Sequence, residues 1–127
     1  MDAGARLFEI ERQGETIIVT PLSNLAEFEY QPIEAGAADL FALLGASPAK
    51  NVVMDFHRTD YCGSTALAFF TRLWKRVRDR GGHMAFCNVS EHEKSVLRIT
   101  RLDGLWPICS SREEAIKTVE QTGAELA

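Results

Sequence analysis

The residues best placed for chemistry are a serine and a threonine, Ser64 and Thr65, which follow a glycine, Gly63. A short apolar run, Val52–Phe56, precedes them, and a long amphipathic stretch begins directly after them. This order predicts that both hydroxyls lie at the start of a helix, just beyond a buried strand. A helix N-terminus has unpaired N–H groups and a partial positive charge, which suit an anion such as phosphate. Ser64 is therefore either a phosphoacceptor or a helix cap, and the pattern alone leaves both open.

The elements around this pair follow from the hydrophobic pattern and the turn residues. Apolar residues with helical spacing predict helices, β-branched runs predict strands, and glycines, prolines and Ser-x-x-Glu capping boxes predict where elements end or begin. We expect Gly45 to close the first helix in a left-handed conformation. The predicted elements are strands Leu7–Gln13 and Thr16–Pro21, a loop Leu22–Gln31, a helix from Pro32 to Gly45, a strand Asn51–Phe56, a helix from about Gly63 to Arg80, a strand Met84–Cys87, a helix opened by Ser90 and ending at Ile99, a strand Trp106–Cys109, a helix opened by Ser111 and a frayed tail Thr122–Ala127.

This order of elements predicts an α/β fold. The first two strands flank Gly14 and form an antiparallel pair, after which strands and helices alternate with short connections. Such alternation gives right-handed crossovers and a mostly parallel central sheet with about four helices. We expect one domain, residues 1–127, with its core within about residues 7–120. Partners and ligands bind at the carboxyl ends of the strands in such sheets, and the turn 56–64 follows one of them.

Composition and charge argue against several functions. The chain has 127 residues and a net charge of −4, which disfavours a nucleic-acid-binding surface. No apolar run is long enough to span a membrane, and the first residues lack the apolar core of a signal peptide, so we expect a cytoplasmic protein. The three cysteines form no Cys-x-x-Cys motif, and the three histidines lack metal-ligand spacing. We therefore expect no disulfide framework, no metal and no other cofactor.

Two features of the second helix each have two interpretations. Phe69 lies at the edge of the apolar face, where it is either peripheral core, which we favour, or an anchor for a partner. The same helix has a basic run that either faces solvent, as most charged runs do, or binds an acidic partner. The run comprises Arg72, Lys75, Arg76, Arg78 and Arg80.

Several segments resemble the STAS family, the sulfate transporter and anti-sigma-factor antagonist domains. Residues 52–56 followed by residues 62–67 (CGSTAL) are similar to the family's strand, loop and Asp-Ser helix start. Residues 76–88 resemble its helix, glycine turn and strand, and residues 96–108 resemble its segment with spaced leucines before Phe/Trp-x-Ile. Residues 113–115 resemble part of its last helix. The resemblance covers roughly Leu7 to Glu120.

The resemblance implies a non-enzymatic signalling module. Soluble members of the family bind a kinase-type anti-sigma factor and so release a sigma factor; the kinase phosphorylates the serine of the Asp-Ser pair, and the phosphate blocks binding. Ser64 matches that serine, whereas Gly63 stands where the family has aspartate. Ser64 and Thr65 are therefore the phosphorylation candidates, and no residue is assigned as catalytic. The expected partner-binding residues are Asp60, Tyr61, Cys62, Gly63, Ser64, Thr65, Leu67 and Ala68.

Two other functions remain open at this point. The glycine at position 63 is also consistent with a STAS-like scaffold or ligand-sensing module that does not use a phosphoserine switch. The third possibility is a small enzyme or nucleotide-binding domain on a similar fold. His57, Asp60 and Cys62 share a loop with Ser64, but the Gly-x-Ser-x-Gly elbow of a serine hydrolase is absent. An enzyme would require convergent polar groups in a pocket.

Overall fold

The computed structural model describes residues 8–22, 30–46, 48–59 and 64–126, leaving aside the side chains of 30–37, 64–65 and 122–126. Within these residues, five strands and four helices follow one another in the predicted order. A 3-10 turn, Leu102–Gly104, lies between the third helix and the last strand. The elements are β1 (Phe8–Gln13), β2 (Thr16–Pro21), α1 (Tyr30–Ala46), β3 (Asn51–Asp55), α2 (Ser64–Asp79), β4 (Met84–Cys87), α3 (Glu91–Ile99), β5 (Ile108–Cys109) and α4 (Arg112–Leu126).

The strands form one mixed sheet in the order β1-β2-β3-β4-β5. β1 and β2 are antiparallel, and the turn between them uses Gly14 at a φ of +63°, a conformation that glycine adopts without strain. The pairs β2–β3, β3–β4 and β4–β5 are parallel. The predicted α/β class, a mostly parallel sheet with an N-terminal antiparallel pair, is therefore confirmed. Because β3 is the middle strand, the loop that follows it leaves from the centre of the sheet's carboxyl edge.

The helices cover the two faces of the sheet unequally. Each parallel strand lies one step further along the sheet, so right-handed crossovers place α1, α2 and α3 on one face, and α4 packs on the other. Side chains of β3 alternate between these faces. Val52 and Met54 belong to the larger core cluster under α1–α3, and Val53 belongs to the smaller cluster under α4. The same alternation directs Asp55 towards α4.

Aromatic side chains fill the core under α2. Phe69 is fully buried; its ring lies 5.4 Å from the Phe8 ring and 6.1 Å from the Phe41 ring, measured between centroids. Phe70 meets Phe86 edge-on at 5.3 Å. Phe69 is therefore core, as we favoured from the sequence, because its position on α2 faces both β1 and α1.

Three predictions about helix ends are wrong. α1 begins at Tyr30, ahead of Pro32, because a proline in the first turn loses no helical hydrogen bond. Gly45 is not a left-handed cap, since it lies within α1, which continues to Ala46. The tail from Thr122 is not frayed but continues α4 to Leu126.

Glycine ends α2 as predicted. The N–H of Gly82 donates to the carbonyl of Val77, and the N–H of Gly81 donates to that of Arg78, both at 2.9 Å. Gly81 has a φ of +79°. These are the two hydrogen bonds of a Schellman motif, in which the left-handed position favours glycine. The chain then enters β4 without a further turn.

The two predicted capping boxes differ in the structure. At α3, Ser90 and Glu93 form both hydrogen bonds of the box, as predicted. At α4, the hydroxyl of Ser111 accepts the N–H of Glu114 at 3.1 Å, but the Glu114 carboxylate accepts the N–H of Ser110 at 2.7 Å rather than that of Ser111. The last strand is also shorter than predicted, since Trp106 packs against the Phe86 ring ahead of β5.

Candidate functional site

A buried carboxylate, Asp55, lies at the carboxyl end of the central strand β3, and the loop that leads to Ser64 starts one residue later. Asp55 is 2% exposed. Its Oδ1 accepts the backbone N–H of His57 and the Nδ2–H of Asn88, each at 3.0 Å. Its Oδ2 accepts the Nε–H of Arg112 at 2.9 Å. One carboxylate therefore joins the start of the loop to the residue after β4 and to the first turn of α4.

These contacts keep Asp55 ionised. Burial raises the pKa of its carboxyl, but hydrogen bonds from Asn88, Arg112 and His57 favour the charged form and lower the pKa below 3.8 overall. Asn88 adopts a left-handed φ of 57°, which asparagine tolerates better than most residues. The Asn88 amide can therefore reach back to Asp55 from the residue that follows β4.

Arg112 extends this network to the edge of the sheet. Its Nη1 lies 3.1 Å from the Oε2 of Glu11 on β1, and its Nη2 donates to the hydroxyl of Thr20 on β2 at 3.5 Å. Burial lowers the pKa of Arg112, but the hydrogen bonds to Asp55 and Glu11 raise it overall. Arg112 is the first residue of α4. Two ion pairs and one hydrogen bond thus fix the start of α4 against three strands and hold the Asp55 carboxylate in place.

A second buried carboxylate holds the same loop from α3. Glu93 is 1% exposed, and its Oε2 accepts the hydroxyl of Thr59 at 3.0 Å. Its Oε1 accepts the backbone N–H of Ser90 at 3.0 Å, which completes the capping box of α3. Between the two carboxylates, the N–H of Thr59 donates to the carbonyl of Phe56 at 3.0 Å and forms a turn. The segment 56–59 is therefore held by Asp55 from its own strand and by Glu93 from α3; we call these contacts the two-carboxylate clamp.

The predicted partner-binding residues are placed as follows. Asp60, Tyr61, Cys62 and Gly63 lie outside the described residues. α2 begins at Ser64, followed by Thr65, and both are described by their backbone alone. Leu67 is 9% exposed and belongs to the core under α2, whereas Ala68 is exposed. Of the last two, Ala68 offers surface to a partner.

Groups that could support metal or nucleophilic chemistry are scarce in the described part of the chain. No set of three or more His, Cys, Asp or Glu side chains there could hold a metal ion. Burial raises the pKa of the Cys87 thiol to about 12, so this thiol is protonated at neutral pH and is a poor nucleophile. Among the same residues, no helix is both long and apolar enough to cross a membrane.

Comparison with known proteins identifies the family to which the chain belongs. A family model of the STAS domain matches residues 6–115, most of the chain. The chain belongs to the STAS domain family. A Bordetella bronchiseptica protein assigned as an anti-sigma factor antagonist, BtrV, is 32% identical over 84 residues, which cover 64% of this chain and 72% of BtrV. One relative of this chain within the STAS family is therefore assigned as an anti-sigma factor antagonist.

Solved STAS structures share the fold. A STAS domain protein from Planctomyces limnophilus superimposes with a TM-score of 0.73 at 21% identity, covering 89% of this chain and 97% of that one. The anti-sigma factor antagonist SpoIIAA of Bacillus superimposes in its unphosphorylated form with a TM-score of 0.69 at 18% identity, covering 89% of this chain and 97% of SpoIIAA. The phosphorylated form of SpoIIAA gives the same TM-score of 0.69 at 19% identity, covering 88% and 98%.

The candidate site contains contacts that the sequence pattern does not predict. The sequence pattern places Asp55 in an apolar strand and predicts no role for Asn88 or Arg112. One signal was available: a carboxylate that ends an otherwise apolar strand must be paired when it is buried. Its partners come from 33 and 57 residues further along the chain, so the pairing itself has no local signature.

Proposed function

We propose that this chain is an anti-sigma factor antagonist that binds a kinase-type anti-sigma factor through the carboxyl edge of its sheet. The proposed surface consists of the loop 56–63 and the start of α2, residues 64–68, where Ala68 is exposed. The chain acts by association rather than by catalysis, and it acts in the cytoplasm. Membership of the STAS family and the relationship to BtrV support the class of partner.

The observation that carries the proposal is the two-carboxylate clamp. Most loops lose conformational entropy when a partner orders them, and that loss weakens binding. Here Asp55 and Glu93 hold the first residues of the loop before any partner arrives. A surface that is ordered in advance binds with a smaller entropic cost. The clamp is also polar and buried, so it holds residues 56–59 without an apolar contact at the surface.

We further propose that phosphorylation at Ser64, or at Thr65, releases the partner. A phosphate adds about −1.5 to −2 charges at neutral pH. The start of α2 favours that charge by only about 0.3–2 kcal/mol, so the modification is compatible with the fold. A docked partner surface would instead have to desolvate the phosphate and accommodate its charge. SpoIIAA, which shares this fold, is known in a phosphorylated and an unphosphorylated form, and both match the present fold with the same TM-score, so a domain of this fold accommodates the modification.

A second function follows from Gly63, which stands where the family has aspartate. On this alternative, the same surface binds a protein partner, but no phosphoserine switch operates. The two proposals share the surface and differ in its regulation. They therefore make the same prediction for binding of the unmodified protein and differ in whether the kinase modifies Ser64 or Thr65.

Phosphorylation and binding can be tested together. The chain is incubated with the kinase-type anti-sigma factor encoded in its genome and ATP, and the modified residue is mapped by mass spectrometry. We expect phosphate at Ser64 or Thr65, and none in a Ser64→Ala, Thr65→Ala double variant. Absence of phosphate at both positions, with normal binding of the unmodified chain, would favour the alternative without a switch.

Affinity measurements on two variants distinguish the effect of a negative charge at the proposed surface from that of a negative charge elsewhere on the chain. We expect Ser64→Asp to weaken the complex at least about tenfold, because it places a carboxylate at the proposed interface. Gln121→Glu is the matched control, since it adds one negative charge at an exposed position on α4. Equal affinities for Ser64→Asp, Gln121→Glu and the parent chain would argue against the switch. Failure of the unmodified chain to bind any such factor would overturn the proposed function itself.

A further inference from the structure

A groove lies between α1 and α2, at the opposite edge of the sheet from the two-carboxylate clamp. Both helices end there, since α1 leads into β3 and α2 leads into β4. The groove has a volume of about 320 Å³, within the range of small-molecule sites, about 300–1,000 Å³. Its lining residues are Phe41, Leu44, Gly45, Arg76, Asp79 and Arg80.

The groove has an apolar floor and a cationic wall. Phe41 is partly buried, and Leu44 is buried at its base. The Arg76 guanidinium lies over the Phe41 ring, 4.4 Å from its centroid, and that of Arg72 lies 5.9 Å from the same centroid. Among the side chains that the structure describes, Arg76 has no ion-pair partner. The chain as a whole carries a net charge of −4, so this cationic wall is a local departure from its acidic character.

Negative charge also acts on the groove, from the ends of α1 and α2 and from the carboxylate of Asp79. The ends of α1 and α2 bring partial negative charge, which disfavours an anion at each end. Arg80 offsets the partial negative charge at the end of α1, because its guanidinium donates to the carbonyls of Leu44 and Ala49. Asp79 lies on the rim, 3.6 Å from the Arg78 guanidinium, which partly offsets its charge. The cation over Phe41 therefore remains the main polar feature of the groove.

We propose that this groove binds a small amphiphilic anion, with its apolar body against the exposed part of Phe41 and its carboxylate against Arg76. The aromatic ring already holds the guanidinium in place, so little rotamer entropy is lost when an anion pairs with it. A planar guanidinium pairs strongly with a carboxylate, often through two parallel hydrogen bonds. The proposal is independent of the partner surface, which lies at the other edge of the sheet.

Gly45 provides a direct way to fill the groove. A Cβ added at this residue meets nothing within 4 Å, and Gly45 lies inside α1, so a larger residue is compatible with the backbone. Gly45→Leu would extend an apolar side chain into the space that the ligand occupies. Gly45→Ala adds a single methyl group and serves as its matched control.

Octanoate is a suitable probe, because it combines an apolar chain with one carboxylate. Binding is followed by ¹⁵N chemical shifts on the full chain, with 1-octanol as the neutral analogue and octylamine as the cationic one. We expect saturable shifts at residues 41–45 and 76–80 with octanoate, affinity lower by about tenfold with octanol, and no binding of octylamine. Gly45→Leu should abolish octanoate binding, and Gly45→Ala should retain it.

The charge requirement is tested with two variants on the same helix. Arg76→Gln should weaken octanoate binding by at least about fivefold, whereas Lys75→Gln, which removes an exposed charge outside the groove, should change it less than about twofold. Circular dichroism confirms that each variant is folded. No saturable shift with millimolar octanoate, equal binding of octylamine, or equal effects of the two variants would overturn the proposal.

Discussion

The two edges of the sheet are built in different ways. At the carboxyl edge, buried side-chain carboxylates hold the loop: Asp55 and Glu93 accept hydrogen bonds from residues on other elements. At the amino edge, the backbone itself packs closely, as Gly82 against Lys50 shows. Buried carboxylates and their hydrogen-bond partners therefore hold the carboxyl edge, whereas close packing of backbone atoms shapes the amino edge. A surface that is held by polar pairs can be exposed to a partner and still keep its shape.

The largest loss of stability is expected at the amino edge, from Gly82→Ala. A Cβ at Gly82 would lie 1.7 Å from the carbonyl oxygen of Lys50, a backbone atom that cannot move without shifting the start of β3. We expect a loss of about 3 kcal/mol or more in the free energy of unfolding, at the upper end for overpacking. Urea denaturation followed by circular dichroism measures this change.

Gly81→Ala is the control for Gly82→Ala. Gly81 also has a special conformation, with a φ of +79°, but a Cβ there meets nothing within 4 Å. We expect a loss of only about 1 kcal/mol, the cost of a left-handed residue with a side chain. Equal losses for the two variants would show that close packing of Gly82 does not govern this edge.

The second largest loss of stability is expected at the carboxyl edge, from Asp55→Asn. The change keeps the shape of the side chain but leaves Arg112 without its buried partner and turns one acceptor into a donor. We expect a loss of about 2–4 kcal/mol in the free energy of unfolding. Glu11→Gln removes the more exposed partner of Arg112 and should cost less than about 1 kcal/mol, since exposed ion pairs contribute little. Denaturation of the three proteins at neutral pH tests this ranking.

Asp55 should also make the fold sensitive to acid. Its pKa in the folded chain lies below 3.8, so its ionisation stabilises the fold above the unfolded pKa, and this contribution is lost as the pH falls through the lower, folded value. The parent chain should therefore lose stability below about pH 4. Asp55→Asn should show a flatter dependence over the same range. Identical pH profiles would contradict the assigned pairing of Asp55.

A smaller effect is expected from Thr59→Val. The change removes the hydroxyl that donates to the buried Glu93 carboxylate and leaves the volume nearly unchanged. We expect a loss of about 1–2 kcal/mol in stability and weaker partner binding, because the loop is released at one of its two attachments. Thr59→Ser keeps a hydroxyl and should restore both. Normal partner binding by a destabilised Thr59→Val would show that the loop need not be held.

The smallest change in stability is expected from Gly45→Ala, which should stabilise the chain rather than destabilise it. Gly45 lies within α1 and has room for a methyl group, so alanine should stabilise the chain by about 0.5–1 kcal/mol. Thermal unfolding measures this change. A destabilising result would mean that Gly45 is required for the shape of the groove between α1 and α2.

The order of the elements was predictable because their signals are local. β-branched runs, helical spacing and the glycines after α2 identified every strand and helix that the structure contains in its described part. The position of the loop after the central strand followed from the same reasoning. Gly45 shows where this reasoning fails: glycine near the end of a helix usually caps it, but here the helix continues past it to Ala46.

The contacts that hold the site were not predictable, because they join residues that are distant in the chain. Asp55 reads as one polar residue in an apolar strand, and Arg112 reads as part of a capping box. Only the packing of α4 against the sheet brings the two side chains to 2.9 Å. Thr59 and Glu93 meet in the same way, across 34 residues. Element patterns therefore predict where the proposed partner surface lies, whereas the three-dimensional structure shows which contacts hold residues 56–59.

Hydrogen–deuterium exchange on the complex tests the central claim most directly. The chain is measured alone and with the kinase-type anti-sigma factor from its own genome, and protection is compared between the two edges of the sheet. We predict that protection appears at residues 56–68 and is absent at residues 41–45 and 76–82. Protection centred on the groove between α1 and α2, with none at residues 56–68, would contradict the assignment of the carboxyl edge as the partner surface.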